Sequence, residues 1–201
     1  MAATWVDRGW PALILWAALF AGDYALTLWG ARLYRQGAHE IIRFEGSYEL
    51  TPVYQADVNA LRWFSPRFAF TLIFSTGALA LIWWTGRLGL TDPEWFAFGL
   101  GALMLRELPV YTRHFQNIAL YRNIDQVRVA PGSRLEYPRR LMYRLSAVDM
   151  AVVGAAFLAL AALFGSSFFF GGAVGCAVVG VQHVRWSRHL GRSPDSVPPL
   201  K

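Results

Sequence analysis

Several stretches of this chain run for roughly 18 residues or more with almost no charge, and the arginines and acids collect between them. That segregation constrains the fold more than any other feature. A helix needs about 20 mostly apolar residues to cross some 30 Å of hydrocarbon, and a lipid-exposed backbone must satisfy its own hydrogen bonds. Charged residues make up only 16% of the 201 positions, against about 25% in ordinary soluble domains. The sequence therefore predicts an all-α, polytopic transmembrane bundle: five membrane helices and a short interfacial helix, in one membrane-embedded domain over residues 1–192.

The first helix is expected over 11–33, with Pro11 in the first turn, Trp5 and Trp10 at one end and Trp29 near the other. The apolar run continues to Gly30, and Asp7 offsets Arg8, so the segment reads as a membrane helix and not as a cleaved signal. Residues 36–64 are too polar to span. Within them Thr51 and Pro52 suit a helix start, and Tyr54, Val58 and Leu61 recur at i, i+4, i+7. This spacing predicts an interfacial helix over 52–63 with its apolar side towards the membrane.

Ser65 and Pro66 open a second membrane helix over 65–84. Thr91 with Glu94 forms a capping-box pattern for a third over 93–110. Arg106 and Glu107 interrupt the apolar run of that third helix, and a kink is expected near Pro109. The fourth and fifth helices are expected over 141–164 and 168–184, joined by the uncharged turn Gly165-Ser166-Ser167. A proline-containing tail over 193–201 is expected to be disordered. No internal repeat is evident.

Charge placement sets an expected topology. Arg113, Arg122, Arg128, Arg134, Arg139, Arg140 and Arg144 surround a turn at Pro131-Gly132, and Arg185, Arg188 and Arg192 follow the last helix. Positive-inside bias puts both regions in the cytoplasm, hence the N-terminus outside and the protein in the plasma (inner) membrane. The same bias accounts for the net charge of +6 without nucleic acid. It makes anionic lipid headgroups the expected partner of the arginine-rich loop. The lone Cys176 lies in an apolar run and reads as a small buried hydrophobe. No cysteine–histidine spacing points to zinc, no ligand motif points to another metal, and no cofactor is implied.

Charges inside the apolar runs are the functional signal. Asp23, Arg106, Glu107 and Asp149 each cost roughly 2.5–3.5 kcal/mol near a helix centre. Counting along the helices puts all four in the cytoplasmic half, with His183 and Gln182 at a similar depth and Thr27 on the face of Asp23. These residues are the expected intramembrane polar cluster: either a cavity for an ion, proton or small headgroup, or internal ion pairs such as Arg106 with Asp23 or Asp149. If the third helix continues, Glu107, Tyr111, His114, Asn117 and Tyr121 form one polar stripe. His39, Glu45, Glu49 and His114 are the candidate cytoplasmic-side acids and histidines.

Gly171-x-x-x-Gly175 allows close approach of helix backbones. It is expected to pack the last two helices as a hairpin, with a homo-oligomer through that hairpin as the competing use. Three function classes follow from these features. The first is a small transport or channel protein with a charged cavity. The second is a non-catalytic partner or assembly subunit. The third is a lipid-headgroup enzyme at the inner surface.

Overall fold

The computed structural model of the chain describes residues 9–127, 130 and 133–190. Expectations for Trp5, Asp7, Arg8, Arg128, Pro131, Gly132, Arg192 and the tail over 193–201 lie outside the described residues. The architecture is nearly all-α. Helix α1 spans Gly9–Leu33 and continues through a π-helical turn, Tyr34–Ala38, to Ile41; strand β1 follows at Ile42–Phe44. Next come α2 (Gln55–Asn59), α3 (Pro66–Arg87), α4 (Glu94–Met104) and α5 (Glu107–Arg122). Then follow β2 (Leu135–Tyr137), α6 (Arg139–Phe164) and α7 (Ser167–Leu190).

Four helices are long and apolar enough to cross a membrane: Gly9–Ile41, Pro66–Arg87, Arg139–Phe164 and Ser167–Leu190. Even the shortest, with 22 residues, reaches about 33 Å at 1.5 Å per residue. Its surface points the same way. Only Leu79 of α3 is buried, while Phe70, Ile73, Phe74, Leu81 and Trp84 are exposed. A continuous apolar face of that kind is a liability in water and the natural surface towards acyl chains.

The region expected as one helix over 93–110 is two helices. Pro109 carries no amide hydrogen and its ring crowds the carbonyl four residues earlier, at Leu105. The Leu105 carbonyl instead accepts from Leu108 at 3.2 Å, a tighter turn, and the α-helix is interrupted at Leu105–Arg106. The helical pattern then persists to Arg122. The cap also differs from the expected one: Asp92 accepts from the Glu94 amide at 2.9 Å, while the Thr91 hydroxyl lies 3.0 Å from that of Thr85.

The two halves of this bent region pack on different partners. Helix α4 packs chiefly on α7, and α5 on α1. The α4–α7 contact is backbone against backbone. A Cβ on Gly171 would stand 2.0 Å from the Phe98 carbonyl oxygen, one on Gly175 2.2 Å from that of Ala102, and one on Gly101 1.9 Å from that of Phe168. The glycine pair thus faces α4 and not α6, its expected partner. The α6–α7 hairpin closes through other small residues: Gly154 meets Cys176, and Gly180 meets Met150. Gly165 turns the chain in the left-handed region, φ 57°, which glycine adopts without strain.

Two features depart from a purely helical expectation. β1 and β2 pair in parallel, with Ile42 opposite Leu135, Arg43 opposite Glu136 and Phe44 opposite Tyr137. This short sheet ties the segment after α1 to the one before α6. The expected interfacial helix is only Gln55–Asn59, and Val58 packs inward on Tyr24 and Leu28. Asp57 beside it is buried and accepts from the Ser65 hydroxyl at 2.6 Å and from Arg62 at 3.1 Å. Ser65 in turn accepts from the Phe68 amide and caps α3.

Two predictions follow from this packing. Gly171→Ala should destabilise the protein by about 1–3 kcal/mol, as overpacking does, and lower the thermal midpoint in detergent. Gly77→Ala, where a Cβ meets nothing within 4 Å, should be neutral or stabilising by up to about 1 kcal/mol. The Ser65 hydroxyl, followed by Arg62, holds the Asp57 carboxyl below the usual carboxylate range. A depressed carboxylate contributes stability above its unfolded pKa that is lost as pH falls through the folded one. Asp57→Asn should therefore lower stability at pH 7 and flatten its decline below about pH 4, measured by thermal unfolding across that range.

Candidate functional site

Because α4 hugs α7 while α5 swings towards α1, α5 stands apart from α6, with few contacts between them. A cavity of about 310 Å³ opens in the space, walled by α1, α3, α5, α6 and α7 and by the segment around Glu49. Its size falls at the lower end of small-molecule sites.

The polar wall begins with the α1–α5 contact. Gly22 leaves room for Tyr111, whose hydroxyl donates to the Leu19 carbonyl at 2.6 Å; a Cβ at Gly22 would stand 2.3 Å from that hydroxyl oxygen. Three residues on, the same face of α5 delivers His114 to α1. His114 Nε2 lies 2.7 Å from Asp23 Oδ1 and 3.3 Å from Thr27 Oγ1. Thr27 is buried, and both ionisable partners are mostly shielded. Helical spacing places Asp23 and Thr27 on one face, so one imidazole nitrogen meets both.

The arginines pair otherwise than expected. Arg106 meets neither Asp23 nor Asp149; its Nε lies 3.3 Å from Glu107, whose side chain is nearly fully buried. Asp149 pairs with Arg113 across the gap between α6 and α5, and it does not line the cavity. Arg113 lies on the part of α5 that faces α6, while Arg106 sits at the break before α5, next to Glu107 in sequence. Arg113 was absent from the sequence-derived cluster, although its spacing from Glu107 hinted at a second polar face on α5.

The segment after β1 supplies a wall from outside the long helices. Glu45 and Glu49 do not share a helical face, because this stretch is a series of bends. Glu49 accepts from the Thr51 amide at 2.7 Å, and Gln55 donates to the Glu49 carbonyl at 3.0 Å. The Tyr143 hydroxyl of α6 donates to the Leu50 carbonyl at 2.9 Å. These bonds fold Glu49 into the cavity wall, where burial pushes its carboxyl above the usual range against the opposing pull of Thr51. Burial likewise pushes Tyr48 up to about 12.

The remaining candidates separate. His183 of α7 is 7% exposed, lines the cavity and has no hydrogen bond at Nδ1. Glu45 is exposed and accepts from the Arg139 amide at the start of α6 at 3.0 Å, where a carboxylate suits the positive helix end. His39 is exposed, edge-on to Tyr34. Neither reaches the cavity. Among the described residues no group of three His, Cys, Asp or Glu side chains is placed to hold a metal ion.

No protein-family model matches this chain, and comparisons with curated proteins and with solved structures found no match. The reading of the site therefore rests on its own geometry.

The Gly22–Tyr111 contact is the test of how the dyad is held. Gly22→Ala should displace Tyr111 and lengthen the His114–Asp23 contact. In histidine NMR the His114 ring signals should shift, whereas Gly77→Ala should leave them in place.

Proposed function

We propose that this is a five-crossing membrane protein that takes a small polar solute into the α1–α5–α6–α7 cavity and passes it across the bilayer. The carrying observation is the convergence of Asp23, Thr27, His114, Arg106, Glu107, Glu49 and His183, from four separate parts of the chain, on one cavity. Ionisable groups inside apolar helices are costly, and solute and proton paths are among the functions they mark. Pairing explains how Arg106 and Glu107 are tolerated. It leaves the Asp23–His114 dyad facing open space, with two side chains able to exchange a proton or hold a solute.

In this reading α4 and α5 together make the remaining crossing, bent at Leu105–Arg106 as the broken helices of transporters are. Arg139, Arg140 and Arg144 at the start of α6 and Arg185 and Arg188 near the end of α7 then lie on the cytoplasmic side, with the N-terminus outside. The Ser187 hydroxyl donates to the Arg140 carbonyl at 3.4 Å, so these two helix ends sit side by side and form a basic face suited to anionic headgroups. A homo-oligomer through the α6–α7 hairpin would have to use the outward residues Val152, Val178 and Val181, since Gly171 and Gly175 are covered by α4.

The test is reconstitution of the full chain into liposomes, with flux of protons and small solutes followed by dye or tracer. Wild-type protein should exceed empty liposomes. Asp23→Asn and His114→Gln should each reduce the flux by about tenfold, an effect of about 1.4 kcal/mol, while eluting as the folded protein. Wild-type vesicles no leakier than empty ones for every solute tried would overturn the reading.

A further inference from the structure

The cavity has a lopsided charge and an aromatic wall. Three carboxylates line it, Asp23, Glu49 and Glu107, against two guanidiniums, Arg106 and Arg113. Each guanidinium already faces a carboxylate: Arg106 meets Glu107, and Arg113 meets Asp149 outside the cavity. Asp23 meets the His114 imidazole and Glu49 the amide and hydroxyl of Thr51, so neither meets a guanidinium. An anion entering this space would find no uncommitted arginine and two carboxylates at close quarters. A cation would find those same carboxylates in a medium where charge attraction is far stronger than in water.

Aromatic rings complete the pattern. Phe68 stacks on Phe20 at 4.7 Å and on Tyr24 at 4.5 Å, with Tyr54 edge-on at 6.3 Å, and all four line the cavity. Stacked on one another and on Trp16, these rings present an apolar wall suited to alkyl groups next to the carboxylates. The carboxylates come from α1, from the Glu49 segment and from α5, and among the described residues no three His, Cys, Asp or Glu side chains are placed to hold a metal ion together. His183 lines the same cavity, 7% exposed, and its Nδ1 is shielded from solvent without a protein partner.

We infer that the cavity binds a small organic ammonium compound, its charge held between Asp23 and Glu49 and its alkyl groups against Phe20, Tyr24 and Phe68. This rests on the cavity being a solute site, as proposed above. The ammonium group belongs either to a free amine or to an ethanolamine headgroup entering between α5 and α6.

The experiment is calorimetric titration of the full-length protein in nanodiscs of phosphatidylglycerol alone, using choline, ethanolamine, inorganic phosphate, acetate and sorbitol in turn. Choline or ethanolamine should bind, and Asp23→Asn and Glu49→Gln should each weaken binding by about tenfold or more. Glu45→Gln, which alters a carboxylate outside the cavity, should leave binding unchanged. All variants are checked by thermal unfolding, and His183→Ala provides a second cavity variant if Asp23→Asn fails to fold. Loss of ethanolamine binding in discs that contain phosphatidylethanolamine assigns the headgroup as the source; undiminished binding there assigns the free amine.

Phosphate, acetate or sorbitol binding that Asp23→Asn abolishes would overturn the ammonium assignment and leave the solute site standing. Absence of binding by all five probes, with flux equal to that of empty liposomes, would overturn both.

Discussion

Pro109 has no amide hydrogen to give to Leu105, and the rest of the arrangement depends on that missing bond. Bent at Leu105–Arg106, the chain packs its first half on α7 and its second half on α1. The first contact is as close as helices can come, glycine against carbonyl oxygen at Gly101, Gly171 and Gly175. The second is polar, with Tyr111 on the Leu19 carbonyl and His114 on Asp23. Tight packing on one side of the bend and divergence on the other leave the cavity between α5 and the α6–α7 hairpin.

The polar groups in this bundle are handled in two ways. Arg106 with Glu107, Arg113 with Asp149, and Asp57 with Ser65 and Arg62 are pairs in which each charge meets a partner within the protein. Removing one member of such a pair strands the other, which costs more than the pair itself contributes. Asp23, Glu49 and His183 are held differently: each lines the cavity with hydrogen-bonding capacity left over. The short β1–β2 sheet and the Tyr143–Leu50 bond matter here, because they fasten the polar segment carrying Glu49 against the long apolar helices.

Much of this was legible residue by residue. The Ser65 cap follows from a serine before a proline and an uncharged run. The disturbance near Pro109 follows from proline chemistry, and the polar stripe from Glu107 through His114 follows from helical spacing. The partners were not legible. Gly171 and Gly175 announce close packing without saying against what, and the answer is α4. Arg106 could equally have faced Asp23 or Asp149. Thr91 and Asp92 compete for the start of the same helix, and Asp92 takes the Glu94 amide because the Thr91 hydroxyl pairs with Thr85 across the α3–α4 turn. The parallel pairing of three-residue strands nearly a hundred positions apart leaves no local trace at all.

The sequence by itself determined that apolar helices dominate, because runs of uncharged residues long enough to cross hydrocarbon have few other stable conformations. It also marked which side chains need a partner or water if those helices are buried in lipid, since an unpaired charge there is costly. Tertiary structure decided which of them meet. Ion pairing and cavity formation depend on the relative rotation and tilt of separate helices, set here by a proline bend and by glycines on remote segments. Those quantities are sums over many contacts far apart in the chain, so no window of sequence contains them.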